Sequence, residues 1–169
     1  MKLKIKYKKM SNVIDSPSII ANGDWVDLRC SKEVIINPFI KQSKSTEVIG
    51  SNIFYIPTGL AFKLPKGFEA HIVARSSTPT KYGFIVPNCI GIIDNSFCGN
   101  TDEWKIPSLG FNSSTIPANT RIAQFRIELS QKATVWQKLK WLLSSGIELV
   151  EVTDLASTNR GGFGSTGEK

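Results

Sequence analysis

The stretch Arg160-Gly161-Gly162-Phe163-Gly164-Ser165-Thr166-Gly167 joins one arginine, four glycines, one aromatic ring and two hydroxyls. Glycines let a backbone wrap closely around an anion and turn its N–H groups inward. Arg160 adds a bidentate fork for phosphate, and Ser165 and Thr166 add donors. Phe163 has no neighbouring apolar residues to pack with, so stacking on a planar base is its natural use. The bland alternative is a polar linker end. The segment is not a phosphate loop of the Gly-x-x-x-x-Gly-Lys-Ser/Thr type. Arg75-Ser76-Ser77 closes an apolar strand pattern and precedes the turn at Thr78-Pro79, a second place where a guanidinium and hydroxyls meet phosphate. Such triplets are common in ordinary loops. Asp94 ends the apolar run Gly91-Ile92-Ile93 and stands before Asn95-Ser96-Phe97. A carboxylate there caps a turn or takes a proton from an attacking water as general base. Asp27, in Gly23-Asp24-Trp25-Val26-Asp27-Leu28-Arg29, is of the type that holds a hydrated magnesium ion.

Short strands are the elements that must position these groups. Patterns of strand length cover residues 2–7, 25–30, 34–36, 53–56, 60–64, 69–74, 84–86, 104–106, 121–128 and 147–152. Asn22-Gly23, Pro57-Thr58-Gly59, Pro65-Lys66-Gly67, Pro87-Asn88 and Pro117-Ala118-Asn119 punctuate them. This spacing predicts an all-β sandwich, jelly roll or barrel. Lys2-Leu3-Lys4-Ile5-Lys6-Tyr7-Lys8 alternates with period two, as in a half-buried strand whose lysines face water. On an edge strand those lysines also discourage aggregation. Residues 131–145 break the pattern. Val135, Trp136, Leu139, Leu142 and Leu143 recur three and four apart, which predicts a short amphipathic helix docked on the barrel and ending at Gly146. Two tryptophans on so short a helix also make residues 131–146 a candidate surface for a protein partner.

The whole chain sets outer bounds. Its 169 residues suffice for one domain with a sizeable core, here residues 1–158, followed by a Gly-rich mobile arm, residues 159–169. The composition, 41% apolar and 21% charged, is that of an ordinary globular protein. No apolar run reaches the ~18 residues of a membrane-spanning helix, and the N-terminus lacks the apolar stretch of a signal peptide. Three cysteines at unhelpful spacings and one histidine argue against a disulfide framework or a zinc site. The expectation is a reduced, cytoplasmic protein. A net charge of +7 favours anionic partners. The period-two lysines read better as a solvated strand face than as a nucleic-acid patch.

Taken in order, the segments resemble the five motifs of the trimeric dUTP pyrophosphatases. They are Gly23-x-x-x-Asp27-Leu28, Arg75-Ser76-Ser77, Gly91-Ile92-Ile93-Asp94, Arg121-Ile122-Ala123-Gln124 and the Gly-rich tail. Pro57-Thr58-Gly59-Leu60-Ala61 and Leu64-Pro65-Lys66-Gly67-Phe68 fit as well. Gly-Asp-Trp-Val-Asp-Leu-Arg, with Asp102-Glu103-Trp104 after the third motif, looks most like the branch from low-GC Gram-positive bacteria and their phages.

The resemblance implies a distorted jelly-roll β-barrel with one helical insert, assembled as a homotrimer. Its sites are shared between subunits, and the arm of one closes over another's pocket. It implies hydrolysis of dUTP to dUMP and pyrophosphate with Mg²⁺. Asp94 is then the base that activates the water, and Ser76 and Gln124 act at the phosphates beside Arg75 and Ser77. Asn88, with the backbone of Gly91 and Ile93, receives the uracil, and Phe97 packs on the deoxyribose. Phe163 stacks on the base, and Arg160, Gly164, Ser165 and Thr166 close over the γ-phosphate. Asp27 reaches the metal through water. Two residues depart from the family pattern: Phe97 replaces a tyrosine, and Trp25 stands at a usual glycine. A dCTP deaminase of the same fold, a dUTP-sensing regulatory protein and a nucleic-acid-binding barrel are the rival readings. The first lacks such a tail, and the last leaves the motif order unexplained.

Overall fold

A computed structural model describes residues 1–19, 23–38 and 53–162. Strand β1 (Leu3–Lys9) shows how its alternation works: Leu3, Ile5 and Tyr7 are buried, while Lys4 and Lys6 face solvent. It is not the edge strand expected from its lysines. It lies between β5 (Leu60–Lys63), antiparallel, and β12 (Ile147–Glu151), parallel. A second sheet has the order β2 (Val26–Arg29), β11 (Arg121–Leu129), β6 (Phe68–Ala74) and β8 (Gly91–Asp94), all pairs antiparallel. β4 (Ile53–Pro57), β9 (Lys105–Gly110) and β7 (Phe84–Ile85) form a third. β3 (Val34–Ile36) and β10 (Ser114–Ile116) make a two-stranded fourth. The result is an all-β, jelly-roll-like fold.

The inward faces meet in one aromatic cluster. Phe62 from β5, Trp104 and Phe125 from β11 are fully buried, with ring centroids 4.3, 5.0 and 5.2 Å apart. Each buried ring contributes about 1.5–3 kcal/mol through area removed from water. All four sheets share one core, which makes the outer ends of their strands firm platforms.

Helix α1 (Thr78–Tyr82) replaces the turn expected after Arg75-Ser76-Ser77, and Gly83 ends it in the left-handed conformation at φ 62°. Helix α2 (Val135–Leu142) lies within the expected insert and opens on a capping box between Thr134 and Gln137. Its docking differs from expectation. Val135, Trp136, Leu142 and Leu143 are 70–80% exposed, and no residue of the helix is buried. Contact with the barrel runs through Trp141, edge-on to Phe68 at 5.5 Å, and through half-buried packing beside it. Nearly every side of the helix carries an apolar residue, so periodicity alone misassigned the buried side.

Candidate active site

Strand β6 carries two chemically distinct clusters at its two ends. At its C-terminal end the rung Asp27–Gln124–Val73 crosses β2, β11 and β6. A register shift between Arg121 and Ala123 turns Ile122 and Ala123 both inward. Arg121 therefore joins Gln124 on the outer face, three residues away in a strand of period two. Asp27, only 7% exposed, accepts from Arg121 at 3.0 Å, and its other oxygen lies 2.9 Å from Arg75 Nε. That second contact is an ion pair without the alignment of a hydrogen bond. One carboxylate thus fixes two guanidinium groups, leaving a net positive cluster beside Gln124. Ser76 is exposed there, and Ser77 stands at the N-cap of α1 with its hydroxyl making no capping bond. Trp25 is half-buried, with the Arg126 guanidinium 5.7 Å from its ring centroid. The bulky replacement for glycine is thus accommodated at the sheet surface.

At the other end β8 pairs with β6, and Asp94 sits opposite Glu69. A cavity of about 280 Å³ opens beside β8, lined by Ile72, Val86, Asn88, Ile93, Phe97 and Trp104 among others, with Asp94 and Arg160 on its wall. That is close to the lower size of small-molecule sites. The turn that leads into β8 contains Cys89 at φ 58°, an uncommon conformation for a side-chain-bearing residue. Gly91 lines the cavity, and a Cβ there would meet only ordinary contacts. Packing within the chain therefore does not demand glycine.

Asp94 is half exposed and well supplied with donors. The Ser96 hydroxyl and N–H donate to Oδ1 at 2.5 and 2.8 Å, and Arg160 donates to Oδ2 at 2.7 Å. Burial pushes its carboxyl up, but Ser96 and Arg160 outweigh burial, so the group sits below its ordinary value. It is a carboxylate at neutral pH, ready to accept a proton. Oδ1 meets the turn-capping reading of Asp94, while Oδ2 is held by Arg160.

Residues 160–162 lie on the pocket of their own chain. Arg160 meets Asp94, and a Cβ on Gly162 would come within 3.2–3.4 Å of the Phe97 ring. Phe163, Gly164, Ser165 and Thr166 fall outside the described residues. Reasoning from sequence missed three contributors. Arg121 was hidden by the bulge, and Ser96 looked like a plain turn residue. Asp102, 2% exposed, accepts the backbone N–H groups of Gly99, Arg160 and Gly161. In the sequence it stood only within Asp102-Glu103-Trp104, a mark of the family branch, with no role attached.

Among the described residues no three or more His, Cys, Asp or Glu side chains are grouped to hold a metal ion. Asp27, with guanidinium groups on both oxygens, fits an ion only through that ion's own water shell. Mg²⁺ keeps several waters in sites of this kind.

Fold and site together define a jelly-roll-like β protein with an ionised carboxylate beside a cavity of about 280 Å³ and a separate cluster of guanidinium groups around Asp27. The dUTPase family model matches residues 26–167. The chain is 34% identical over 169 residues to the SPbeta prophage-derived deoxyuridine 5'-triphosphate nucleotidohydrolase YosS of Bacillus subtilis (strain 168), covering 100% of both. Among solved structures, the dUTPase of Streptococcus mutans superposes with a TM-score of 0.60 at 18% identity, covering 76% of this chain and 98% of that one. The dUTPase of phage phi11 of S. aureus, whose structure is described as revealing the coordination of a structural Mg(II) ion, gives 0.59 at 14% identity, covering 78% and 94%. The chain belongs to the dUTPase family.

Proposed function

We propose that this chain hydrolyses dUTP to dUMP and pyrophosphate in the cytoplasm, limiting uracil incorporation into DNA and supplying dUMP for thymidylate synthesis. The observation that carries the reading is Asp94, held ionised on the wall of a cavity of about 280 Å³ that Asn88, Phe97 and Arg160 also line. Uracil enters between Asn88 and the backbone of Gly91 and Ile93, with the deoxyribose against Phe97. The aromatic face suffices to crowd a 2′-hydroxyl. Asp94 accepts a proton from water as the water oxygen bonds to the α-phosphorus. The bond from that phosphorus to the bridging oxygen breaks, and pyrophosphate leaves. Arg75, Ser76, Ser77 and Gln124 hold the phosphates, with Arg121 beside them. Phe163 stacks on the base, and Gly164, Ser165 and Thr166 close over the γ-phosphate with Arg160. A hydrated Mg²⁺ carried on the triphosphate, reached by Asp27 through water, supplies charge neutralisation when bound.

Asp94 is occupied by Arg160 in this state. The triphosphate competes for that guanidinium, and binding then frees Oδ2 to take the proton.

The register of β6 supports a homotrimer with shared sites. Asp94 lies opposite Glu69, and Gln124 opposite Val73, with Arg75 two residues further on. At ~3.3 Å per residue these groups are about 13–20 Å apart along the strand. A base must come within about 3 Å of the proton it takes, a demand that a phosphate cluster supplied by a neighbouring subunit would meet. Asp94→Asn and Gln124→Ala subunits, each nearly inert alone, should regain activity when refolded together. No recovery in the mixture contradicts sharing.

The activity itself is tested by measuring pyrophosphate release with Mg²⁺ from each dNTP and from UTP. Release from dUTP alone is expected. Ammonia from dCTP would indicate the deaminase reading. Silence with every nucleotide would move the assignment to a dUTP-sensing protein, with the exposed Trp136 face of α2 as the surface for its partner.

A further inference from the structure

The loop that follows the Asp94 hairpin is joined to the root of the C-terminal arm by an unusual density of polar contacts. Thr101 N–H donates to Asn159 Oδ1 at 2.9 Å, and Leu155 N–H donates to Asn100 Oδ1 at 3.0 Å. Asn100 Nδ2 donates to Asp154 at 2.7 Å. At the centre lies Asp102. Its oxygens accept from Gly99 N–H at 2.8 Å, Arg160 N–H at 2.9 and 3.1 Å, and Gly161 N–H at 3.0 Å. No cationic side chain lies within ion-pair distance of Asp102 among the described residues. A buried charge satisfied only by backbone donors is costly to bury and therefore specific in what it holds. What it holds are the two peptide units immediately around Arg160.

We infer that Asp102 is the anchor of the arm, a positioning residue that acts on catalysis through Arg160. With the backbone at 160 and 161 pinned, the Arg160 side chain falls on Asp94 Oδ2 and Gly162 falls beside Phe97. Residues 160–162 are then held against the cavity wall before nucleotide arrives, which lowers the ordering entropy that binding costs. The catalytic half of this inference rests on the proposed dUTP hydrolysis. The anchoring half does not.

Asp102→Asn replaces one acceptor oxygen by an NH₂ facing N–H donors. Amide hydrogen exchange at Arg160 and Gly161 should accelerate by on the order of tenfold or more, since hydrogen bonds to a charged group are the strong ones. The kcat/KM for dUTP should fall by a similar factor. In a chain ending at Thr158, the same substitution should change kcat/KM less than about threefold, because residues acting through one another are non-additive. Gly99→Ala provides a second route. Its Cβ would collide with the backbone and side chain of Asn159, displacing the arm root with Asp102 intact, and should reproduce both effects. Unchanged exchange at 160 and 161 in both variants overturns the anchor. Equal loss of activity with and without the arm overturns it too, since the role is then merely structural. Accelerated exchange in a protein whose wild type is inert to dUTP supports the anchor and overturns the hydrolase reading.

Discussion

Asp94→Asn should lower dUTP turnover by about 10²–10⁴-fold, the range a positioned general base supplies, while nucleotide affinity changes little. The amide keeps the shape of the carboxylate and can still accept from Ser96. It cannot take the proton of the attacking water. The natural form of the group is ionised at neutral pH because Ser96 and Arg160 outweigh the upward push of burial. The acid limb of kcat/KM should therefore lie below the ordinary carboxylate value of ~3.9, with activity full above it and lost as pH falls through it. Arg160→Ala removes one lowering contact and should move that limb upward. Single-turnover assays with calorimetric dUTP binding separate the two effects. An Asp94→Asn enzyme that turns over normally would remove Asp94 from the mechanism.

Ending the chain at Thr158 should leave a folded barrel whose kcat/KM for dUTP is reduced on the order of 10²-fold, through lost phosphate donors and lost positioning. Leu155 is fully buried, and Lys63 Nζ holds its carbonyl and that of Ala156 at 3.0 and 2.9 Å. Everything that closes the core thus precedes the cut. Residues 158–162 are exposed and contribute no core side chain. The melting temperature should shift by no more than a few degrees. A truncated protein that aggregates, or one with full activity, would contradict the division into barrel and arm.

How much of this was legible depended on range. The alternation of β1 and the strand ending at Asp94 were visible because a period of two needs only neighbours. Helix α1 was not, since five residues hold little more than one helical turn and Thr78-Pro79 reads equally well as a turn. The buried side of α2 was misread because its sequence offers more than one apolar stripe, and only the position of Phe68 selects Trp141. The motif residues around Asp27, Asp94 and Gln124 were legible through family resemblance. Their distribution over the two ends of β6 was not, because it follows from register. The role of Asp102 was the hardest to see: two of its three backbone partners, the N–H groups of Arg160 and Gly161, lie more than fifty residues downstream, which no side-chain pattern encodes.

The parallel pairing of β1 with β12 has a consequence in time. Tyr7 and Glu151, hydrogen-bonded at 2.9 Å, are 144 residues apart. At the ~5–20 residues per second of synthesis, one edge of the first strand waits on the order of 10 s for the strand that will cover it. During that interval the strand that bears Leu3, Ile5 and Tyr7 has one backbone edge without its native partner. The lysines between them, ending up inside a sheet rather than at its border, keep the nascent edge soluble until its last partner emerges.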